Sequence, residues 1–272
     1  MQPWVDGQPQ ATLGLSDRGL AYGDGLFETI AVASGRPLLF KRHLYRLFEG
    51  CTRLGMAVDR ALIERELLGY AKAMGSGVLK LILTRGDSQR GYGADPSASP
   101  RRILQASPRP AYPQSHYDTG VRLFPCATRL AEQPLLAGLK HLNRLEQVIA
   151  RNEWASAEFA EGLMLDMAGR IVEGVFSNVF LVRHNTLLTP ELSRCGVAGT
   201  LRAELLDRAQ EAGCRVAVTD LTLDDLAQAS EVFVCNSVYG IWPVIGHGDL
   251  NWSVGPVTRK LQRIAHGLLD LT

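Results

Sequence analysis

The chain has 272 residues, 46% of them hydrophobic and 21% charged, with a formal net charge of +1 at pH 7. That is the composition of a folded globular protein of one large or two ordinary domains, and its near-balanced charge argues against holding nucleic acid or a membrane surface electrostatically. No apolar run approaches the roughly 18 residues needed to span a bilayer, and the opening "MQPWVDGQPQ" lacks the basic region and apolar core of a secretory leader. The five cysteines are an odd number, scattered and without a CxxC, and the six histidines form no HExxH or paired spacing. Reduced thiols in a cytoplasm and no metal site are therefore expected.

In chain order, "WVDGQ" reads as a hairpin turning at Asp6-Gly7, and "LFETIAVASGRPLLF" as a second turning at Ser34-Gly35. "KRHLYRLFEGCTRLG" places Leu44, Leu47, Phe48 and Cys51 on one helical stripe. Asp59 is positioned to cap a following helix whose Ile63, Leu67, Tyr70 and Met74 repeat at three or four residues. "VLKLILTRG" and "RRILQAS" are strands. "PRPAYPQ" is the best linker in the chain, since proline resists continuing a helix or a central strand. The domain boundaries expected are thus 1–107, a linker over 108–117, and 118–272. The second half restarts with the strand "VRLFPCAT", a helix over about 143–158, and the hairpin "GLMLDMAGRIVEG" turning at Ala168-Gly169. The strands "NVFLVR" and "TLLT" follow, then a helix capped by Thr200 and running through Ala209. Thr222 with Asp225 resembles a capping box, "EVFVCNS" is a buried strand, and a last helix spans 257–269. Two mixed α/β domains are the fold class expected.

Five lysines stand against 24 arginines. A chain that defaults to arginine for positive charge keeps lysine where arginine cannot serve, and only lysine can become a neutral nucleophile when partly buried. Lys140, in "AGLKHLNRLEQ" one turn before a helix, invites that reading, although a solvated loop lysine is the commoner case. Arg46, one helical turn after His43, could hold an anion. So could the helix start at Gly199-Thr200, where free N–H groups and the dipole favour negative charge, and Asn236-Ser237, just after a strand. Glu173 interrupts the apolar strand "RIVEGVF", which puts it either on an exposed face or against a buried cation.

The segments "SDRGLAYGDGLFETI", "HLYRL", "LKHLNRLEQ", "VEGVFSNVF", "GVAGTLR" and "CNSVYGIWPV", in this order and spacing, resemble the fold-type IV pyridoxal-phosphate enzymes. That family holds branched-chain aminotransferases, D-amino-acid aminotransferases and aminodeoxychorismate lyases. The resemblance covers almost the whole chain and implies two domains with pyridoxal 5'-phosphate in the cleft between them. It also implies a homodimer, with a small molecule as substrate. Residue by residue, it implies Lys140 as the Schiff-base and proton-transfer lysine. Arg46, the Thr200 and Leu201 backbone and the Ser237 hydroxyl would hold the phosphate. Glu173 would pair with the pyridine nitrogen, keeping it protonated and the ring a better electron sink, and Asn178 would support the ring.

Three features resemble the lyases more than the aminotransferases. "KHLNRLEQ" lacks the tyrosine of the branched-chain "NYL"-like context, and "TRGDSQRGYG" resembles the lyase loop, with Asp87 and Gln89 in place of less polar neighbours. Phe27 stands where D-amino-acid aminotransferases have a tyrosine. The implied reaction converts 4-amino-4-deoxychorismate to 4-aminobenzoate and pyruvate. Arg90, Tyr92 and Arg144 are the implied substrate-binding candidates, a planar guanidinium suiting bidentate carboxylate binding. An aminotransferase is the alternative, and a cofactor-binding homologue without chemistry the remote one.

Overall fold

The computed structural model describes residues 1–88, 91–95, 98–211 and 213–271. The chain divides into two compact units, Met1–Pro110 with Leu139–Asn143, and Ala111–Gly138 with Arg144–Thr272. Both are mixed α/β.

The first unit contains β1 (Trp4–Val5), β2 (Gln8–Pro9), α1 (Arg18–Tyr22), β3 (Gly25–Ala33), β4 (Arg36–Pro37), α2 (Phe40–Arg53), α3 (Arg60–Met74), β5 (Gly77–Thr84) and β6 (Arg101–Ser107). Its strands form one antiparallel sheet in the order β2-β1-β6-β5-β3-β4. The two-residue period of β3 puts Leu26, Glu28, Ile30 and Val32 on one face, and all four are buried. Helix α2 packs against this strand. It buries His43, Leu47, Gly50 and Cys51, so the inward stripe includes His43 rather than Leu44. The reason is polar: Glu28 supplies His43 with a buried partner.

Asp59 caps α3 as expected, its carboxylate accepting from the Leu62 N–H at 2.9 Å. The helix buries Ile63, Leu67 and Tyr70. Each such aliphatic side chain contributes about 1.5–3 kcal/mol on burial. Helix α1, too short for a periodic signal, is started by the Asp17 carboxylate accepting from the Gly19 and Leu20 N–H groups.

The segment Leu139–Asn143 joins this unit through β3. Strand β4 pairs only with Val32 and Ala33, which leaves the Gly25–Phe27 end of that edge open. The Phe27 N–H donates to the Lys140 carbonyl at 2.9 Å, and the Leu142 N–H to the Gly25 carbonyl at 3.1 Å. A continuous domain over 118–272 would contain Lys140; these ladder bonds instead group it with the first unit. Such a long-range pairing leaves no local trace in the sequence.

The second unit contains α4 (Ser115–Asp118), β7 (Val121–Leu130), α5 (Leu145–Arg151), β8 (Phe159–Asp166), β9 (Ile171–Gly174), β10 (Asn178–Arg183), β11 (Thr186–Pro190), α6 (Thr200–Glu211), β12 (Arg215–Thr219), α7 (Leu223–Ala227), β13 (Glu231–Asn236), β14 (Gly240–His247), β15 (Leu250–Asn251) and α8 (Pro256–Leu269). Its sheet runs β12-β11-β10-β13-β14-β7-β8-β9, with β15 on β14. The β11–β12, β14–β7 and β7–β8 pairs are parallel and the rest antiparallel. Leu123, Val179, Leu181, Val234, Tyr239 and Trp242 lie in its core.

Two expectations change here. The division between units falls at Pro110, inside the expected linker, but Tyr112 and Tyr117 set their ring edges against Trp242, with centroids 4.8 and 6.3 Å away. That end of the segment is packed. The helix expected over 143–158 is only α5. Beyond it Trp154 turns into the core, and Glu153 accepts from the Ala127 and Thr128 N–H groups of β7. Helix α6 begins at Thr200 and continues to Glu211, and α7 carries the expected Thr222–Asp225 capping box.

Candidate active site

In the first unit the candidate residues gather on one carboxylate. Arg46 donates from Nε to Glu28 Oε1 at 2.8 Å and from Nη2 to Glu28 Oε2 at 2.5 Å. His43 Nδ1 lies 2.6 Å from Glu28 Oε2. Glu28 is 1% exposed, and burial alone would raise its pKa. The Arg46 guanidinium and the His43 bond outweigh burial and hold the carboxyl at about 2. Burial likewise depresses His43 against the pull of Glu28, and the positive charges of Arg46 and Lys140 depress it further. A neutral His43 therefore donates its Nδ1–H to an ionised Glu28. A bidentate grip of this kind fixes the plane of the Arg46 guanidinium, so its remaining donors have a set direction.

Lys140 is half-buried on the edge of β3, and its Nζ stands 4.5 Å from the centroid of the Phe27 ring. This distance is within cation–π range. The ring brings no hydroxyl to the amine. Lys140, Phe27, Glu28, His43 and Arg46 thus form one group.

In the second unit, Glu173 is 4% exposed, which resolves the ambiguity of its strand in favour of the buried face. Its Oε2 accepts from the Val197 N–H at 2.8 Å. Asn178, the first residue of β10, donates from Nδ2 to the carbonyl of the same Val197 at 2.8 Å. The peptide groups just ahead of α6 are therefore held from both sides by two of the predicted residues. A Cβ on Gly199 would collide with Asn178 Oδ1, so this glycine permits the close approach. Thr200 and Leu201, both buried, open α6, where first-turn N–H groups and the helix dipole suit an anion. Arg202 fastens that helix to β11, donating to Thr189 Oγ1 and the Pro190 carbonyl.

Ser237 sits in the turn after β13. Asn236 shapes that turn, its Oδ1 accepting from the Val238 and Tyr239 N–H groups and its Nδ2 donating to the Phe176 carbonyl. Asn178 pairs with Cys235 across the β10–β13 ladder, so the Ser237 turn and Asn178 lie at the same end of the sheet. Arg144, half-buried at the start of α5, is lowered in pKa by burial, with Glu173 and Glu146 acting against the shift. Its guanidinium feels the charges of both Glu173 and Glu146, and it is half-buried rather than fully exposed.

The remaining substrate candidates are less informative. Arg90 lies outside the described residues. Tyr92 is 88% exposed, and its carbonyl accepts from Arg18 Nη2 at 2.8 Å. Sequence reasoning misses Glu28 and Arg18. A signal for Glu28 exists, since it shares the core-facing period of Leu26 and Ile30. Arg18, 4% exposed and bonded to Asp24 and to the carbonyls of Gly91 and Tyr92, gives no such signal.

The family profile described as amino-transferase class IV matches residues 25–246. An aminodeoxychorismate lyase of Vibrio harveyi is 36% identical over 265 residues, covering 95% of this chain and 97% of that protein. A crystal structure of 4-amino-4-deoxychorismate lyase from Pseudomonas aeruginosa is 60% identical, with a TM-score of 0.97, and covers 98% of this chain and 99% of that one. A D-alanine aminotransferase of Bacillus licheniformis is 26% identical, covering 93% of this chain and 90% of that protein.

Proposed function

The chain belongs to the amino-transferase class IV family, and on that premise we propose that it is a pyridoxal-phosphate-dependent lyase converting 4-amino-4-deoxychorismate to 4-aminobenzoate and pyruvate. The observation that carries this reading is the 60% identity to a lyase over 98% of the chain, against 26% to a D-alanine aminotransferase.

The residues fit the cofactor. Glu173 is a buried carboxylate that could pair with a protonated ring nitrogen, and the start of α6, held through Val197, suits a phosphate. Arg46, the Thr200 and Leu201 backbone and the Ser237 hydroxyl would hold the phosphate, Asn178 would support the ring, and Lys140 would carry the cofactor covalently. When bound, pyridoxal phosphate supplies an electron sink for the charge left by proton removal. Lys140 Nζ takes the proton from the substrate carbon bearing the amine and returns one to the methylene of the departing enolpyruvyl group. Aromatisation of the ring drives the product side. Glu28 keeps Arg46 oriented throughout, while burial and the nearby positive charges keep His43 neutral. Arg144, which feels the charge of Glu173, is one substrate-carboxylate candidate, and Arg90 and Tyr92 are the others.

The protein would work in the cytoplasm as a homodimer. Five free cysteines, four of them buried, suit a reducing compartment. Leu145, Val148 and Ile149, at helical spacing on one face of α5, are large exposed apolar side chains, a face of the kind that a second copy covers. A panel of 4-amino-4-deoxychorismate, D-alanine and branched-chain amino acids, read by pyruvate and amine-transfer products, tests the assignment. Pyruvate with 4-aminobenzoate from the first supports it. Transfer from the amino acids alone would favour an aminotransferase.

A further inference from the structure

Glu161 is a fully buried carboxylate in β8 to which no part of the proposed chemistry assigns a task. Its Oε1 accepts from the Gly162 N–H at 2.8 Å and the Val175 N–H at 3.0 Å. Its Oε2 accepts from Ser177 Oγ at 2.7 Å and from the Phe176 N–H at 3.4 Å. Three of these four donors belong to residues 175–177, the turn that joins β9 to β10. The turn closes on itself through the Gly174 N–H and the Ser177 carbonyl at 2.7 Å. It also packs close against the carboxylate. A Cβ on Gly174 would stand 2.9 Å from Glu161 Cδ and collide with Ser177 Oγ.

The residue before this turn's glycine is Glu173, and the residue after its serine is Asn178. These two side chains hold the N–H and the carbonyl of Val197, three residues ahead of α6. We propose that Glu161 is a positioning residue: it pins the 174–177 turn, and through the turn sets Glu173 and Asn178 against the peptide that leads into the helix start. A free turn of four residues could rotate either strand end, and a shift of about 1 Å in a charge aimed at a reacting group costs about 100-fold in rate. A carboxylate with four convergent donors removes that freedom at one point.

The proposal rests on the reading of Glu173, Asn178 and the α6 start as the holder of pyridoxal phosphate. Two variants separate a pin from a mere core residue. Glu161→Gln keeps most of the pin, because its amide oxygen can take the Gly162 and Val175 donors while its NH2 donates to a rotated Ser177 hydroxyl. Only the long 3.4 Å contact from the Phe176 N–H is given up. Burial lifts the Glu161 carboxyl to about 7 against its four bonds, so a neutral side chain is tolerated there near neutral pH. Glu161→Ala removes every bond.

The measurements are the dissociation constant of pyridoxal phosphate by fluorescence titration, and kcat and KM with saturating cofactor. Glu161→Ala, folded by circular dichroism, is expected to bind cofactor about tenfold more weakly and to lose about tenfold in kcat with KM little changed, the scale of one lost charge-assisted bond. Glu161→Gln should stay within about threefold of wild type on both. If Glu161→Ala does not fold, Ser177→Ala, which deletes a single bond to Oε2, replaces it with an expected loss of about threefold. A folded Glu161→Ala with wild-type affinity and kcat, or a Glu161→Gln as impaired as Glu161→Ala, overturns the proposal. So does a wild-type Ser177→Ala where it stands in. Wild-type protein that binds no pyridoxal phosphate overturns the underlying reading as well. Wild-type protein that binds it without lyase turnover overturns only the substrate, and the affinity comparison then decides the role of Glu161.

Discussion

Removing the Glu28 carboxylate should be among the costliest single changes in the first unit. Glu28 is the shared acceptor of two Arg46 bonds and one His43 bond at 2.5–2.8 Å, in a site 1% exposed. Taking one partner from a buried ion pair costs about 3–5 kcal/mol. The pKa shift of Glu28 corresponds to a similar size. The carboxyl moves from an ordinary 4.5 to about 2 on folding, and 1.36 kcal/mol per unit makes about 3 kcal/mol. The sign follows from a depressed acid: this stability is fully present above about pH 4.5 and is lost as pH falls through about 2. Urea unfolding of wild type and Glu28→Ala, followed by circular dichroism from pH 7 down to 3, measures both effects. The variant should unfold at lower urea at pH 7, and the gap should narrow as acid is added. Equal midpoints at pH 7, or a gap that does not change with pH, would show that the Glu28 carboxylate does not stabilise the fold in this way.

Lys140→Ala should fold like wild type, lose the visible absorbance of bound cofactor, and drop in turnover by about 10²–10⁴-fold, the range for a positioned proton-transfer group; wild-type turnover in that variant removes Lys140 from the site. Glu173→Ala should still take up cofactor but lose about 100-fold in kcat, the order for a preorganised charge contact, and an unchanged kcat would free Glu173 of its role. Leu145→Glu with Ile149→Glu should shift sedimentation from dimer to monomer, since the α5 face is then charged. A dimer of wild-type stability in that double variant places the interface elsewhere.

The candidate site comes from the sequence through resemblance: the scarcity of lysine draws attention to Lys140 without choosing it, and the family pattern carried by the motif order is what implies roles for Lys140, Arg46, Glu173, Asn178 and Thr200. Elements with a clean period read well: α3, with Ile63, Leu67 and Tyr70, forms as its spacing requires. What the sequence hides depends on long-range pairing. The Lys140 segment adds to the edge of β3, over a hundred residues earlier in the chain. No propensity near residue 140 records that. Nor does periodicity explain why α2 turns His43 inward: the cause is Glu28, in another element. Glu28 and Glu161 share a lesson. A carboxylate at a core-facing position of an apolar strand signals a polar network, yet the sequence does not say which donors will meet it.

In a lyase the amine of the substrate stays in the product. Purified protein loaded with pyridoxal phosphate and given 4-amino-4-deoxychorismate, with no keto acid present, should release pyruvate and 4-aminobenzoate in equal amounts over many turnovers, and should regain its starting visible spectrum once substrate is spent. A single burst stoichiometric with enzyme, ending with the amine on the cofactor and resuming only when 2-oxoglutarate is added, would contradict the lyase reading.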